Sequence, residues 1–176
     1  RTIDTSGNNL LTIINEILDI SKIEAGKMEL NNHAFNLTHL VGYISNLFEL
    51  RCRQKSLQWN VKGLSESVTV MGDEMKQRQT LINLLGNSVK FTESGKVELI
   101  VTPLADNQYR FEVIDTGVGI PLEAQDKIFQ AFQQDEEGEK KGGTGLGLAI
   151  SKKQLELMGS DLLLESELNQ GTYFYF

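Results

Sequence analysis

The 176-residue chain reads as a mixed α/β fold with one bundle-type helix in front of it. Three stretches predict this. Residues 77–92, QRQTLINLLGNSVKFT, place Leu81, Leu84, Leu85 and Val89 on one helical face. Residues 96–104 and 109–114 alternate as half-buried strands do, with Asp106-Asn107 as a tight turn between them. Residues 1 to about 25 repeat Ile3, Leu10 and Ile17 a heptad apart, and Leu11, Ile13, Leu18, Ile20 and Ile23 widen that face. An apolar face this broad needs more than one neighbour, so a helix bundle is expected.

The remaining elements follow in order. Gly26 ends the first helix. Residues 27–30 are expected as a short strand, and residues 37–54 as a helix with Leu40, Val41, Ile44, Leu47 and Phe48 inward. Residues 57–61 alternate around Trp59 as a strand, and 68–71 form another. Asp73 is a good N-cap for the next helix, and Glu93-Ser94-Gly95 makes the turn after it. Pro121 starts a short helix. Residues 133–141 are polar and charged around Gly138, and read as a mobile loop. An apolar helix over 148–158 and two closing strands, 161–167 and 171–176, complete the chain.

Composition narrows the function classes. Hydrophobic content of 40% and charged content of 23% are ordinary for a globular chain. No run approaches the ~18 apolar residues of a membrane span, and no signal-peptide pattern is visible. The net charge of −7 argues against nucleic acid, whose phosphates call for clustered Lys and Arg. The single cysteine, Cys52, excludes an internal disulfide and fits a reducing, cytoplasmic setting. It has no His or Asp beside it and reads as an inert thiol. The chain begins inside a helical pattern and stops on a strand-like one, which suggests a fragment.

Chemistry concentrates in three places. Asn83 and Asn87 sit four residues apart, so a helix stacks them on one side, with Lys90 a turn further on. Asn is a poor helix former, and two in one helix ask for another reason. A neutral amide oxygen suits Mg²⁺ where phosphates supply the remaining charge. Asp115-Thr116-Gly117-Val118-Gly119-Ile120 follows a strand, and Gly142-Gly143-Thr144-Gly145-Leu146-Gly147 opens a helix. Glycines at a helix start let backbone N–H groups approach a phosphate. Neither run is a Walker loop or a dinucleotide fingerprint.

In this order the three stretches resemble the N, G1 and G2 boxes of the histidine-kinase catalytic domain. That family shares its ATP-binding fold with gyrase and mismatch-repair ATPases. Residues 128–132, IFQAF, are similar to its F box, with Ala131 where Pro is usual, and Gly171-Thr172-Tyr173-Phe174 to its G3 motif. Residues 10–30 resemble the second dimerisation helix and its exit, and Ser21 to Gly26 look most like the hybrid sensor kinases.

The resemblance implies a two-layer sandwich, a mixed sheet covered on one face by three helices. Residues 1–26 would belong to the dimerisation helix and 27–176 to the catalytic domain. The ligands implied are ATP and Mg²⁺. Asp115 would accept from the adenine amino group, with Gly117, Gly119 and Ile120 close to the base and Phe91 over its face. Asn87 would be the principal magnesium ligand, Asn83 a supporting amide, and Lys90 a phosphate partner. Gly143, Thr144, Gly145, Leu146 and Gly147 would cradle the phosphates under a lid at 133–141, and the Thr172 hydroxyl would help position Asp115. Lys76 and Ser88 stand where Arg and Ala are common.

Implied partners are an acceptor-His helix of the same protein, a receiver domain or response regulator, and a second copy in the bundle. His33 and His39 lack the acid-x-Arg-Thr-Pro setting of the acceptor and read as surface or capping residues. Two other classes stay open: a non-catalytic nucleotide-binding module, and a protein-serine kinase or ATPase on the same fold.

Overall fold

The computed structural model describes residues 2–133 and 143–176, so the loop expected at 133–141 lies, from residue 134 on, outside the described residues. The chain starts with helix α1 (Thr2–Glu24), which closes with Gly26 N–H on Ile23 O and Lys27 N–H on Lys22 O. Strand β1 (His33–Asn36) and helix α2 (Leu37–Gln54) follow, then strands β2 (Gln58–Lys62) and β3 (Thr69–Gly72). Helix α3 (Glu74–Phe91) leads to β4 (Lys96–Pro103) and β5 (Tyr109–Asp115). A short helix α4 (Leu122–Gln125), helix α5 (Gly147–Leu157), and strands β6 (Leu163–Glu167) and β7 (Gly171–Tyr175) complete the described elements.

Five strands form one sheet in the order β2-β4-β5-β7-β6, parallel only between β2 and β4. A parallel neighbour needs a crossover, and β3 and α3 supply it. The register lines up Val61, Leu99, Val113, Phe174 and Leu164 in one row across the sheet. These side chains meet Leu40, Ile44 and Phe48 of α2, Leu81, Leu84 and Leu85 of α3, and Leu155 of α5 in a single core. Three helices thus cover one face, as the two-layer sandwich requires.

The next row on the same face is Trp59, Val97, Asp115, Thr172 and Ser166. Its last three members are polar. The pleat therefore carries a polar corner into the helix-covered layer, and the site is built there.

One feature departs from the sequence reading. Residues 27–30 form no strand. The strand lies at His33–Asn36, where Phe35 is buried, and it pairs with β3 in a separate antiparallel ribbon. Lys27 to Leu30 have no partner strand, and alternation without a partner is not enough. The Asp106-Asn107 turn forms with both residues at positive φ, 56° and 57°, inside a single 3-10 turn.

Side chains fix the helix ends. Asn36 caps α2, accepting from His39 N–H at 2.8 Å. Lys55 Nζ donates to Val89 O at 2.6 Å and to Thr92 O at 3.0 Å, satisfying carbonyls at the end of α3. Asp73 caps α3 through Lys76 N–H and also accepts from Lys76 Nζ at 2.7 Å and Asn31 N–H at 2.9 Å. Burial raises its carboxyl, but these donors win and hold it below the usual carboxylate range. Cys52 is fully buried, and burial pushes its thiol up against the opposing pull of Lys55.

Asp73→Ala is expected to destabilise the chain by about 1–3 kcal/mol at neutral pH, the scale of a lost cap plus a lost charged hydrogen bond. A carboxyl depressed in the folded state stabilises above its unfolded pKa and loses that contribution as pH falls through the folded value. Urea unfolding of both proteins down the acid range should therefore show the gap closing.

Candidate nucleotide-binding site

The polar corner opens into a cavity of about 480 Å³. Helix α3 turns Asn83, Asn87, Ser88, Lys90 and Phe91 toward it, while Leu81, Leu84 and Leu85 face the core. Strand β5 ends in it with Asp115, and the turn beyond contributes Val118, Gly119 and Ile120. Gly143, Thr144, Gly145, Gly147 and Leu148 border it where α5 begins, and Thr172 and Phe174 come from β7. Of the residues implied by resemblance, Gly117 and Leu146 do not line it: Gly117 sits behind Asp115, and Leu146 is buried against α1. Gly142 and the lid from residue 134 lie outside the described residues.

Asp115 is buried, and its Oδ1 accepts from Gly117 N–H at 2.9 Å. Burial pushes its carboxyl up, opposed first by that bond and then by the Ser88 hydroxyl and the Thr172 backbone N–H. The Thr172 hydroxyl instead lies 3.3 Å from Ser166 Oγ. It is the main chain of Thr172 that bears on Asp115. Ser166 also accepts from Ile120 N–H at 2.8 Å and donates to Gly171 O at 2.8 Å, tying the glycine turn to β6 and β7.

Two glycines are explained by packing within the chain. Gly119 has φ +68°, and a Cβ there would run into Glu167 O. A Cβ on Gly147 would meet the side-chain amide of Asn83. Asn83 in turn donates to Ser151 Oγ at 2.8 Å, so its amide links α3 to the start of α5. Leu146 N–H is taken by Thr144 Oγ1 at 3.2 Å, and no side chain caps α5. Its first N–H groups and helix dipole are suited to an anion.

The F-box stretch braces this loop. Phe132 N–H bonds Gly145 O at 3.0 Å, and the Phe129 ring stands edge-on to Phe174 at 6.4 Å. Lys90 Nζ lies 4.9 Å from the Phe91 ring centroid, joining a cation and an aromatic face at one side of the cavity. Neither His33 nor His39 lines the cavity. Both are exposed, with His33 Nε2 3.8 Å from Glu74 Oε2.

Sequence reasoning gave Ser88 no place in the cavity and missed Ser166 and Gln125. Gln125 Nε2 bridges Ile120 O and Ser166 O, each at 2.9 Å. It also missed Thr12, Ile13 and Glu16 of α1, which border the same cavity. No local motif marks them, because they come from another element.

Residues 72–176 match the family described as histidine kinase-, DNA gyrase B-, and HSP90-like ATPases. The chain belongs to this family. Over 183 residues it is 38% identical to the signal transduction histidine-protein kinase BarA of Escherichia coli K12, covering all of this chain and 20% of BarA. It is 37% identical to the hybrid signal transduction histidine kinase C of Dictyostelium discoideum, covering 99% of this chain and 15% of that one. The chain thus spans about a fifth or less of these two relatives. Full-length ShkA in complex with AMPPNP superposes with a TM-score of 0.85 at 34% identity, over 98% of this chain and 36% of ShkA. The catalytic domain of histidine kinase ThkA gives 0.71 at 31% identity, over 83% of this chain and 95% of that domain. ThkA in complex with the response regulator TrrA gives 0.74 at 27% identity, over 99% of this chain and 48% of ThkA. Within the family the chain is of the sensor histidine-kinase type.

Gly119→Ala is expected to destabilise the chain by at least about 1–3 kcal/mol, the cost of a strained backbone conformation before the clash with Glu167 O is added. Thermal unfolding should fall by several degrees. An unchanged midpoint would show that the turn does not need glycine.

Proposed function

We propose that this chain binds MgATP in the α3/β5/α5 cavity and donates the γ-phosphoryl group to a histidine on a helix outside it. One observation carries the reading: two separate glycine turns, a buried carboxylate and the two amides of α3 converge on one cavity. Its parts divide by chemistry. Asp115 lies at the buried sheet end beside Phe91, suited to an amino-bearing base. Asn83, Asn87, Lys90 and the uncapped start of α5 are suited to phosphates. By the resemblance, residues 1–26 belong to a dimerisation helix and 27–176 to the catalytic domain.

The amides also fit a magnesium ion. Among the described residues no group of three or more His, Cys, Asp or Glu could hold a metal alone. Mg²⁺ bound mainly through phosphate oxygens needs only one or two protein oxygens, and Asn87, supported by Asn83, offers them. When bound, the ion would neutralise charge on the phosphates. The chain's own work is positioning: α3 and the 143–147 turn hold the polyphosphate, Lys90 adds positive charge, and Asp115 fixes the base. An acceptor imidazole is already a nucleophile, so the cavity needs no strong base.

The partner readings follow. Leu10, Leu11, Ile14, Ile17 and Leu18 of α1 are largely exposed, the face a helix bundle and a second copy would cover. A receiver domain or response regulator is supported by the ThkA complex with TrrA. Among the described residues no helix is long and apolar enough to cross a membrane.

Asp115→Asn should weaken adenine-nucleotide binding by about 1–3 kcal/mol. Gly117 N–H would keep the amide oxygen, leaving an NH₂ group toward the base. Because burial raises the Asp115 carboxyl, wild-type affinity should fall as pH drops through a value above the usual carboxylate range. Calorimetry across pH should find that step missing in Asp115→Asn.

With labelled ATP alone the chain should incorporate almost no acid-labile phosphate. Mixed with a dimerisation domain bearing an acceptor histidine it should transfer phosphate in trans, weakly, since a mixture lacks the effective concentration of a tether. Asn87→Ala should abolish the transfer, and His33→Ala and His39→Ala should leave it intact. Labelling of His33 would overturn the external acceptor, and labelling of a partner serine would favour a serine kinase.

A further inference from the structure

The wall of the cavity that the mechanism does not use comes from α1. Thr12, Ile13 and Glu16 border the same space as Asn83, Asn87, Gly143, Thr144, Gly145 and Gly147. Their position is fixed by docking one turn further along. Ile20 is buried against Leu146, Ala149 and Ile150, with Ile23 and Ala131 packed around them. Asp19 Oδ2 accepts from Gln79 Nε2 at 3.1 Å, anchoring α1 to α3 as well. Thr12, Glu16 and Ile20 are spaced by four, so the face that grips the start of α5 also faces the cavity.

Glu16 is the unusual member of this wall. Its Oε2 is buried and has no hydrogen-bond partner among the described residues. A carboxylate oxygen withdrawn from water without a donor is unfavourable. It borders the same cavity as the two amides, Lys90 and the 143–147 turn, groups suited to polyphosphate or to cations. A bare triphosphate there would meet a like charge, whereas a divalent cation would be attracted by both.

We propose that Glu16 couples polyphosphate binding to a divalent cation: the docked helix admits the magnesium complex of a nucleoside triphosphate and disfavours the metal-free form. The proposal rests on the MgATP reading of the cavity and extends its wall to the α1 helix. Glu16 acts as a charge beside the phosphates, and no catalytic role is assigned to it.

The test is equilibrium binding of ATP to the whole chain by calorimetry, in magnesium and in EDTA, for wild type, Glu16→Gln and Glu16→Asp. Each protein gives the ratio of its two affinities. Removing one charge next to a polyphosphate should lower that ratio about fivefold or more in Glu16→Gln. Glu16→Asp, which keeps the charge, should restore most of it. Adenosine, which has no phosphate, should bind wild type and Glu16→Gln within about twofold, showing that the base end is intact. Equal ratios in wild type and Glu16→Gln would overturn the proposal while leaving the nucleotide site standing. A wild-type chain that binds neither form of ATP would overturn the nucleotide reading, and this proposal with it.

Discussion

The structure depends on one buried carboxylate at a sheet corner. Asp115 ends the central strand in the helix-covered layer, where an unpaired charge would be prohibitive. Donors must therefore be brought to it, and the chain supplies Gly117 from the following turn and Thr172 from the neighbouring strand. The turn must then fold back tightly, which forces Gly119 against Glu167 O and draws Ser166 into bonds with Ile120 and Gly171. Much of the β5, β6 and β7 corner follows from keeping that carboxylate buried and supported.

Helix α3 solves a second problem, since it must serve a core and a cavity at once. Its leucines fill the space between α2 and the sheet, so its position is set by close packing. Its other side can then hold Asn83 and Asn87 in place without strong helix propensity of their own. Lys55 reaches across from the end of α2 to the last carbonyls of α3, steadying the turn that carries Lys90 and Phe91. Placement of the polar groups is thus inherited from apolar packing, and this is why the cavity can have a fixed shape.

The third constraint is the contact of α1 with the start of α5. Leu146 and Ala149 lie where α5 begins beside the cavity, yet they are buried by Ile20 rather than by the main core. A packed apolar contact thus joins α1 directly to the turn from Gly143 to Gly147 through Leu146.

Local sequence determined a good deal by itself. The 3.6-residue periodicity of α3, the alternation of β4 and β5, the Asp73 cap and the glycine punctuation are short-range signals. They placed most elements within a few residues, and most of the implied site residues line one cavity. Tertiary structure decided the rest. Residues 27–30 carry a strand-like pattern, but only His33–Asn36 finds a partner in β3. Thr172 bears on Asp115 through its backbone because strand register, and not residue type, sets that contact. Ser166 and the α1 wall were invisible because each matters through a neighbour far away in the chain. A sequence states which groups are available, whereas register and helix docking determine which of them meet.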